Sequence, residues 1–417
     1  MDDKKTSGAI CLALACFFLI AGGPSAGKTS EKNATALAKM TVPPERAPAP
    51  DTGRALVQAD PSGPIADRVA SARGEAKAKR WEKGFWLGFG IRRLMGEHSS
   101  MGWHPWAGME THLTLDDLIN GRKTPLEKKV ANDQAARGTA ASMPGPARFF
   151  SANRRGDEPE RPVMKEIGIL LRLTAKEAEF PADIRVSNLN LPFDFEELPF
   201  VWVGMATASE SLEYLIPLYA RAVLEEDKRS LLWAVGLHRD SAAVVPFIER
   251  ILAGKEGEET RAEAAACLGE QNDPKALDLL LKTIKADPSE QVREHAVEGL
   301  VEMELPAATE ALTSLALNGA GRTIRREAVR GLAEKANAAT IKVLEKISAG
   351  DKDREIQEEA IHAFADLPGR SGLPQLISLV RTHPDASVRK EAVEAIGDVG
   401  GAEAVKILAE LAKGRGR

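Results

Sequence analysis

The chain has 417 residues, 43% of them hydrophobic and 28% charged, with a formal net charge of −5 and three cysteines. That balance can bury a sizeable core and excludes a wholly disordered protein. The cysteine count excludes a disulfide framework, and the acidic excess disfavours a protein held to nucleic acid by its phosphates.

Residues 9–23 form an apolar run without charge, preceded by Lys4 and Lys5. The run is shorter than the ~20 residues of a comfortable membrane span and fits the core of a secretory signal peptide over residues 1–26. This predicts an exported protein, periplasmic or extracellular, with no membrane span after cleavage; the alternative is an anchor formed by the uncleaved segment. The stretch from Gly22 to Thr29 matches the phosphate-loop pattern, with Lys28 and Thr29 in its last two places. That pattern works only between a strand and a helix of an α/β fold, and Ala/Pro-rich sequence follows instead. Residues 27–80 read as a flexible tether rich in Ala, Pro and charge, with a short helix around 65–81 at its end.

Residues 81–205 read as a small mixed α+β domain. The β-branched and aromatic runs at 84–95, 167–173, 183–191 and 199–205 predict strands. A short helix at 114–119 and a polar insert near 120–162 interrupt them. His98, His104, Glu110 and His112 lie within this domain beside Trp103 and Trp106. Imidazole and carboxylate are ordinary metal ligands, so this group is the alternative centre of a metal-binding or enzymatic protein. Its spacings match no compact metal motif, and an aromatic loop with hydrogen-bonded histidines is the competing reading.

Residues 206–417 carry six copies of one helix-pair pattern at a period of 32. Arg229, Arg261, Arg293, Arg325, Gln357 and Arg389 occupy one column, and Leu232, Ala264, Ala296, Ala328, Ala360 and Ala392 another. A third column holds Ile248, Leu280, Leu312, Leu344, Leu376 and Leu408. Each pair can bury its apolar stripe only against its neighbours, which predicts an α-solenoid. Ser241, Asp273, Asn337, Gly369 and Gly401 share the phase expected to start the first helix of a pair, with Leu305 in the remaining place. The arginines read as structural, pairing with carboxylates or carbonyls of neighbouring turns such as Asp287, Asp353 or Asp385. Cys267 falls in a column of small core residues and reads as a buried thiol.

The segments VREHAVEGLV (292–301) and VRKEAVEAIG (388–397) resemble the short HEAT-like repeats of phycobilisome lyases, and the likeness extends to exported bacterial HEAT-repeat proteins. The resemblance implies a mainly α protein whose C-terminal half is a stack of helix pairs. The family spans chromophore lyases, a metal-dependent hydroxylase and pure adaptors, so it leaves activity open. The hydroxylase needs His-Glu pairs on successive helices; Glu294-His295 here is a single pair in reversed order.

The reading that follows is a non-enzymatic scaffold that binds a protein partner of basic or mixed charge. No cofactor, nucleic acid or small-molecule substrate is expected. The second helix of each pair is expected to line the concave face. Glu263, His295, Glu327, Glu359 and Glu391 would form a ladder there, flanked by Glu298, Arg326 and Arg330.

Overall fold

The computed structural model describes residues 56–58, 62–97, 99–102, 114–120, 149–150, 161–176, 179–191 and 193–414. The predicted signal segment and the group His98, His104, Glu110 and His112 lie outside them. Among the described residues no helix is long and apolar enough to cross a membrane.

Strand β1 (Leu56–Gln58) and helix α1 (Ile65–Ala78) come first, followed by β2 (Phe85–Gly96), β3 (Ser100–Met101) and α2 (Leu115–Ile119). Then come β4 (Phe149–Phe150), β5 (Pro162–Leu173), β6 (Asp183–Asn188) and β7 (Phe200–Met205). Five of these strands form one sheet in the order β1-β7-β2-β5-β6. Strands β2 and β5 pair antiparallel along their whole length, from Phe85 opposite Leu173 to Gly96 opposite Pro162. Both faces of the sheet are covered. Phe85, Leu87, Phe89 and Ile91 join Ile167, Ile169 and Leu171 on one side. On the other, Trp86, Leu170, Phe200 and Trp202 lie beneath Phe193, Phe195 and Leu198 of the loop before β7.

Strand β1 lies inside the expected tether, whereas helix α1 falls where the short helix was expected. Ile65, Val69, Ala72 and Ala76 recur at helical spacing and are buried against the sheet. Two buried arginines pin it there. Arg68 donates to the carbonyls of Gly63, Val203 and Met205 and pairs with Glu210 at 3.1 Å. Arg73 donates to the carbonyls of Lys176 and Glu179. Strand β1, paired with β7, carries ordered structure further back into the segment expected to be flexible.

The helix pairs follow: α3 (Ala208–Tyr219) with α4 (Glu225–Gly236), α5 (Ser241–Ala253) with α6 (Glu258–Gly269), and α7 (Pro274–Ala286) with α8 (Glu290–Glu302). They continue as α9 (Pro306–Asn318) with α10 (Arg322–Lys335), α11 (Ala338–Gly350) with α12 (Arg354–Ala365), and α13 (Leu373–Thr382) with α14 (Ala386–Val399). A last helix, α15 (Gly401–Gly414), repeats the first-helix pattern. Ile248, Leu280, Leu312, Leu344 and Leu376 are all fully buried.

The start signals hold at Asp273 and Asn337, whose side chains accept from backbone N–H groups of the first turn. Three others are corrected. Ser241 and Gly401 are the first helical residues of α5 and α15, and at α5 Asp240 takes the cap position without a side-chain bond. Gly369 sits at φ 63° in a 3-10 turn, Pro368–Arg370, and α13 begins only at Leu373.

Sheet and solenoid share one apolar core, which runs without a break from Phe85 on β2 through Leu231 and Leu232 on α4 to Ile396 on α14. The change at residue 206 is a change of secondary structure, not of core. The sheet closes the first end of the stack, where an exposed apolar repeat face would otherwise meet water.

Candidate interaction face of the second helices

The second helices α4, α6, α8, α10, α12 and α14 pack directly on one another, while successive first helices touch more sparsely. Small residues permit this. A Cβ added at Gly299 would meet the Ala265 carbonyl oxygen at 2.9 Å and Leu280 as closely. The second helices thus form one closely packed layer, the inner face.

Ion pairs set the register between repeats. Arg261 forms a two-pronged pair with Asp287, both N–O distances 3.0 Å, and Arg325 pairs with Asp351 in the same way. Arg293 and Arg389 instead donate to carbonyls of their own preceding turns, and Gln357 donates to Ser348. Of the carboxylates expected to serve this column only Asp287 does so. Asp353 and Asp385 cap α12 and α14 and pair with Arg322 and Arg354 at the helix starts.

The predicted ladder is brought together on the inner face, and several of its members are already engaged. Arg330 reaches Glu359 at 2.6 Å and Glu327 at 3.5 Å. His362 meets Glu391 at 2.7 Å. His295 accompanies Glu298 at 4.0 Å. The Arg326 Nε is buried without a hydrogen-bond partner. Glu327 and Glu359 are only 22% and 20% exposed, so they are not the free solvent-facing groups that the sequence pattern suggested. Burial raises the Glu327 pKa, and Glu298 and Glu294 on α8 push it the same way against the pull of Arg330. Glu294, which sequence reading set aside as half of a reversed His-Glu pair, thus belongs to the face.

Among the described residues no group of three or more His, Cys, Asp or Glu could hold a metal ion. Cys267 is buried beside Leu232, and desolvation raises its thiol pKa well above the usual range, which leaves it inert as a nucleophile.

A second polar cluster joins sheet to solenoid and left no trace in the sequence pattern. Arg93 on β2 donates to the Leu237 carbonyl at 2.9 Å and pairs with Glu270 at 2.5 Å. Gln271 donates to the carbonyls of Gly236 and His238. These side chains satisfy the last carbonyls of α4 where no further helical turn can.

The family described as HEAT repeats matches residues 212–301, 245–333 and 341–415. The chain is a HEAT-like repeat protein. Among solved structures, the HEAT-like array is similar to the complex of CpcE and CpcF of phycocyanin lyase from a Nostoc species. That likeness is 22% identical over 37% of this chain and 99% of that one, with a TM-score of 0.28. Human deoxyhypusine hydroxylase in complex with glycerol is 18% identical over 48% and 77%, with a TM-score of 0.22. A computationally designed self-assembling cyclic homo-oligomer is 19% identical over 49% and 82%, with a TM-score of 0.17. No curated protein matches the chain. HEAT repeats are the architecture of protein-interaction solenoids, and this array carries their helix-pair stack.

Proposed function

We propose that this protein is a non-enzymatic interaction scaffold, acting outside the cytoplasm, that holds a protein partner of basic or mixed charge along its second helices. The observation that supports it most is the crowding of Glu294, Glu298 and Glu327 on two adjacent helices of the inner face, with the Glu327 pKa raised. A partner's Lys or Arg placed among these three carboxylates adds to the partial relief that Arg330 gives Glu327. Nucleic acid would meet like charge there. Export rests on residues 1–26 alone, and N-terminal sequencing of protein from the native envelope tests it; an intact Met1 in cytoplasm would overturn that part.

The binding test is a pull-down from native extract with wild-type protein and the double variant Glu294→Lys/Glu298→Lys, at low and high salt. Glu359 is left alone because it anchors Arg330. Reversal should lower partner capture most at low salt, with the helical signal intact. The same partner profile from both proteins would mean that this face is only solvated.

A further inference from the structure

Two surface features outside the inner face lie in the first and sixth pairs of the array. In the turn between α3 and α4, Val223 is 87% and Leu224 64% exposed. Glu225, Glu226 and Asp227 form the first turn of α4 immediately behind them. The equivalent turns carry Lys255-Glu256, Asp287-Pro288, Gly319-Ala320, Asp351-Lys352 and His383-Pro384, so the apolar knob belongs to the first pair alone. Burial, with Glu226 and Asp183 beside it, raises the Asp227 pKa.

The sixth pair offers the complement. On α14, Ala386, Arg389, Lys390, Val393 and Glu394 line an open depression of about 500 Å³. Val393 stands in the column of Val297, Val329 and Ile361, which are fully buried because the next second helix lies on each. Among the described residues no second helix lies on α14 from that side, and Val393 is left half-buried. The rim is mainly basic. Arg389 engages only Nη1, on the carbonyls of His383 and Pro384, and Lys390 is 73% exposed with Glu394 at 2.9 Å.

We propose that these are two halves of one contact: the Val223–Leu224 knob of one copy seats in the α14 depression of a second copy, with Glu226 and Asp227 facing Arg389 and Lys390. The occupant is a second copy because one chain carries both the apolar knob and a groove of opposite rim charge. Knob and groove are different surfaces, so the contact is heterologous and leaves each copy one free half for further growth or ring closure. Apolar anchors of this kind carry most of an interface's energy, and the charged rim chiefly sets its rate and salt dependence.

Sedimentation equilibrium of the full chain over a wide concentration range tests it. The mass should rise above the 44.8 kDa of one chain as concentration increases, and less so at high salt. Leu224→Asp and Lys390→Glu should each weaken association by roughly tenfold or more. Adding Glu226→Lys to Lys390→Glu in one chain should restore it, a rescue that damage to the fold cannot produce. A monomer mass at every concentration, or association untouched by these variants, would overturn the proposal. Neither result bears on the inner face, whose Glu294 and Glu298 stay intact throughout.

Discussion

Arg93 and Glu270 are separated by 177 positions in the chain and by 2.5 Å in space. The pair fastens the sheet to the ends of α4 and α6, with the Arg93 side chain only 4% exposed and Glu270 20%. Burial lowers the Arg93 pKa, and the Glu270 carboxylate opposes that shift.

Arg93→Ala removes a cation from that carboxylate and a donor from the Leu237 carbonyl at once. The expected loss is roughly 2–4 kcal/mol, below the full penalty of a buried pair because water reaches Glu270. Urea denaturation measures it. A loss within experimental error would mean that the sheet stays on the stack through apolar contacts alone.

His238, 4% exposed at the same junction, gives the fold a pH dependence. Its Nδ1 lies 3.1 Å from the Val235 carbonyl oxygen, an approach that only an N–H can make. Burial lowers its pKa from 6.5 to about 4, and nearby Arg93 adds to the shift. The unfolded chain therefore binds the proton more readily. Stability is complete above the unfolded pKa and falls as pH drops from 6.5 toward 4, by roughly 3 kcal/mol in all. Urea midpoints measured across that interval should decline for the wild type and flatten for His238→Asn, which keeps a donor near Val235 without the titration. Parallel curves for the two proteins would assign the acid sensitivity elsewhere.

The periodic half of this molecule was legible because each repeat imposes the same steric demand, and 32-residue columns record it. The Leu column is the buried seam of the first helices, and the Ala and Gly positions mark where second helices touch. Strands β2, β5, β6 and β7 were legible one at a time, from β-branched and aromatic runs between Pro, Asn and Gly, whereas the short β1, β3 and β4 were not. Their order was not, since nothing in β7 announces that it pairs parallel with both β1 and β2. Helix α1 was legible as a short helix, but not its packing on the sheet, because two of its buried residues are arginines. The inner-face ladder was visible as a row, yet whether a glutamate in it is free or paired depends on a residue 29 positions away, as with Arg330 and Glu359.

Gly299 tests the close approach of α6 and α8. Any Cβ there meets the Ala265 carbonyl and the Leu280 side chain, so Gly299→Val must push the two helices apart. Overpacking of this kind costs about 1–3 kcal/mol, and backbone contact puts this site toward the upper end. The change needs no loss of helix, so circular dichroism should stay near wild type while the thermal midpoint falls. An unchanged midpoint would show that α6 and α8 are not held this closely.

The Leu column tests the gradient from the middle of the array to its last helix. Leu312 and Leu344 are fully buried between neighbouring repeats, whereas Leu408 on α15 is half-buried, with Val405 beside it 66% exposed. Truncation to Ala leaves a cavity only where the surroundings cannot relax into it. Leu312→Ala and Leu344→Ala should each cost about 2–5 kcal/mol, and Leu408→Ala less than half as much. In a one-dimensional stack the first two also break an interface on each side, so their denaturation curves should broaden or split as the array divides around the lesion. Leu408→Ala should leave the main transition sharp and loosen only α15, which hydrogen exchange resolved along the chain would detect. Equal losses at all three positions would mean that α15 is as firmly covered as the interior helices, and the half-exposed end of the stack would have to be abandoned.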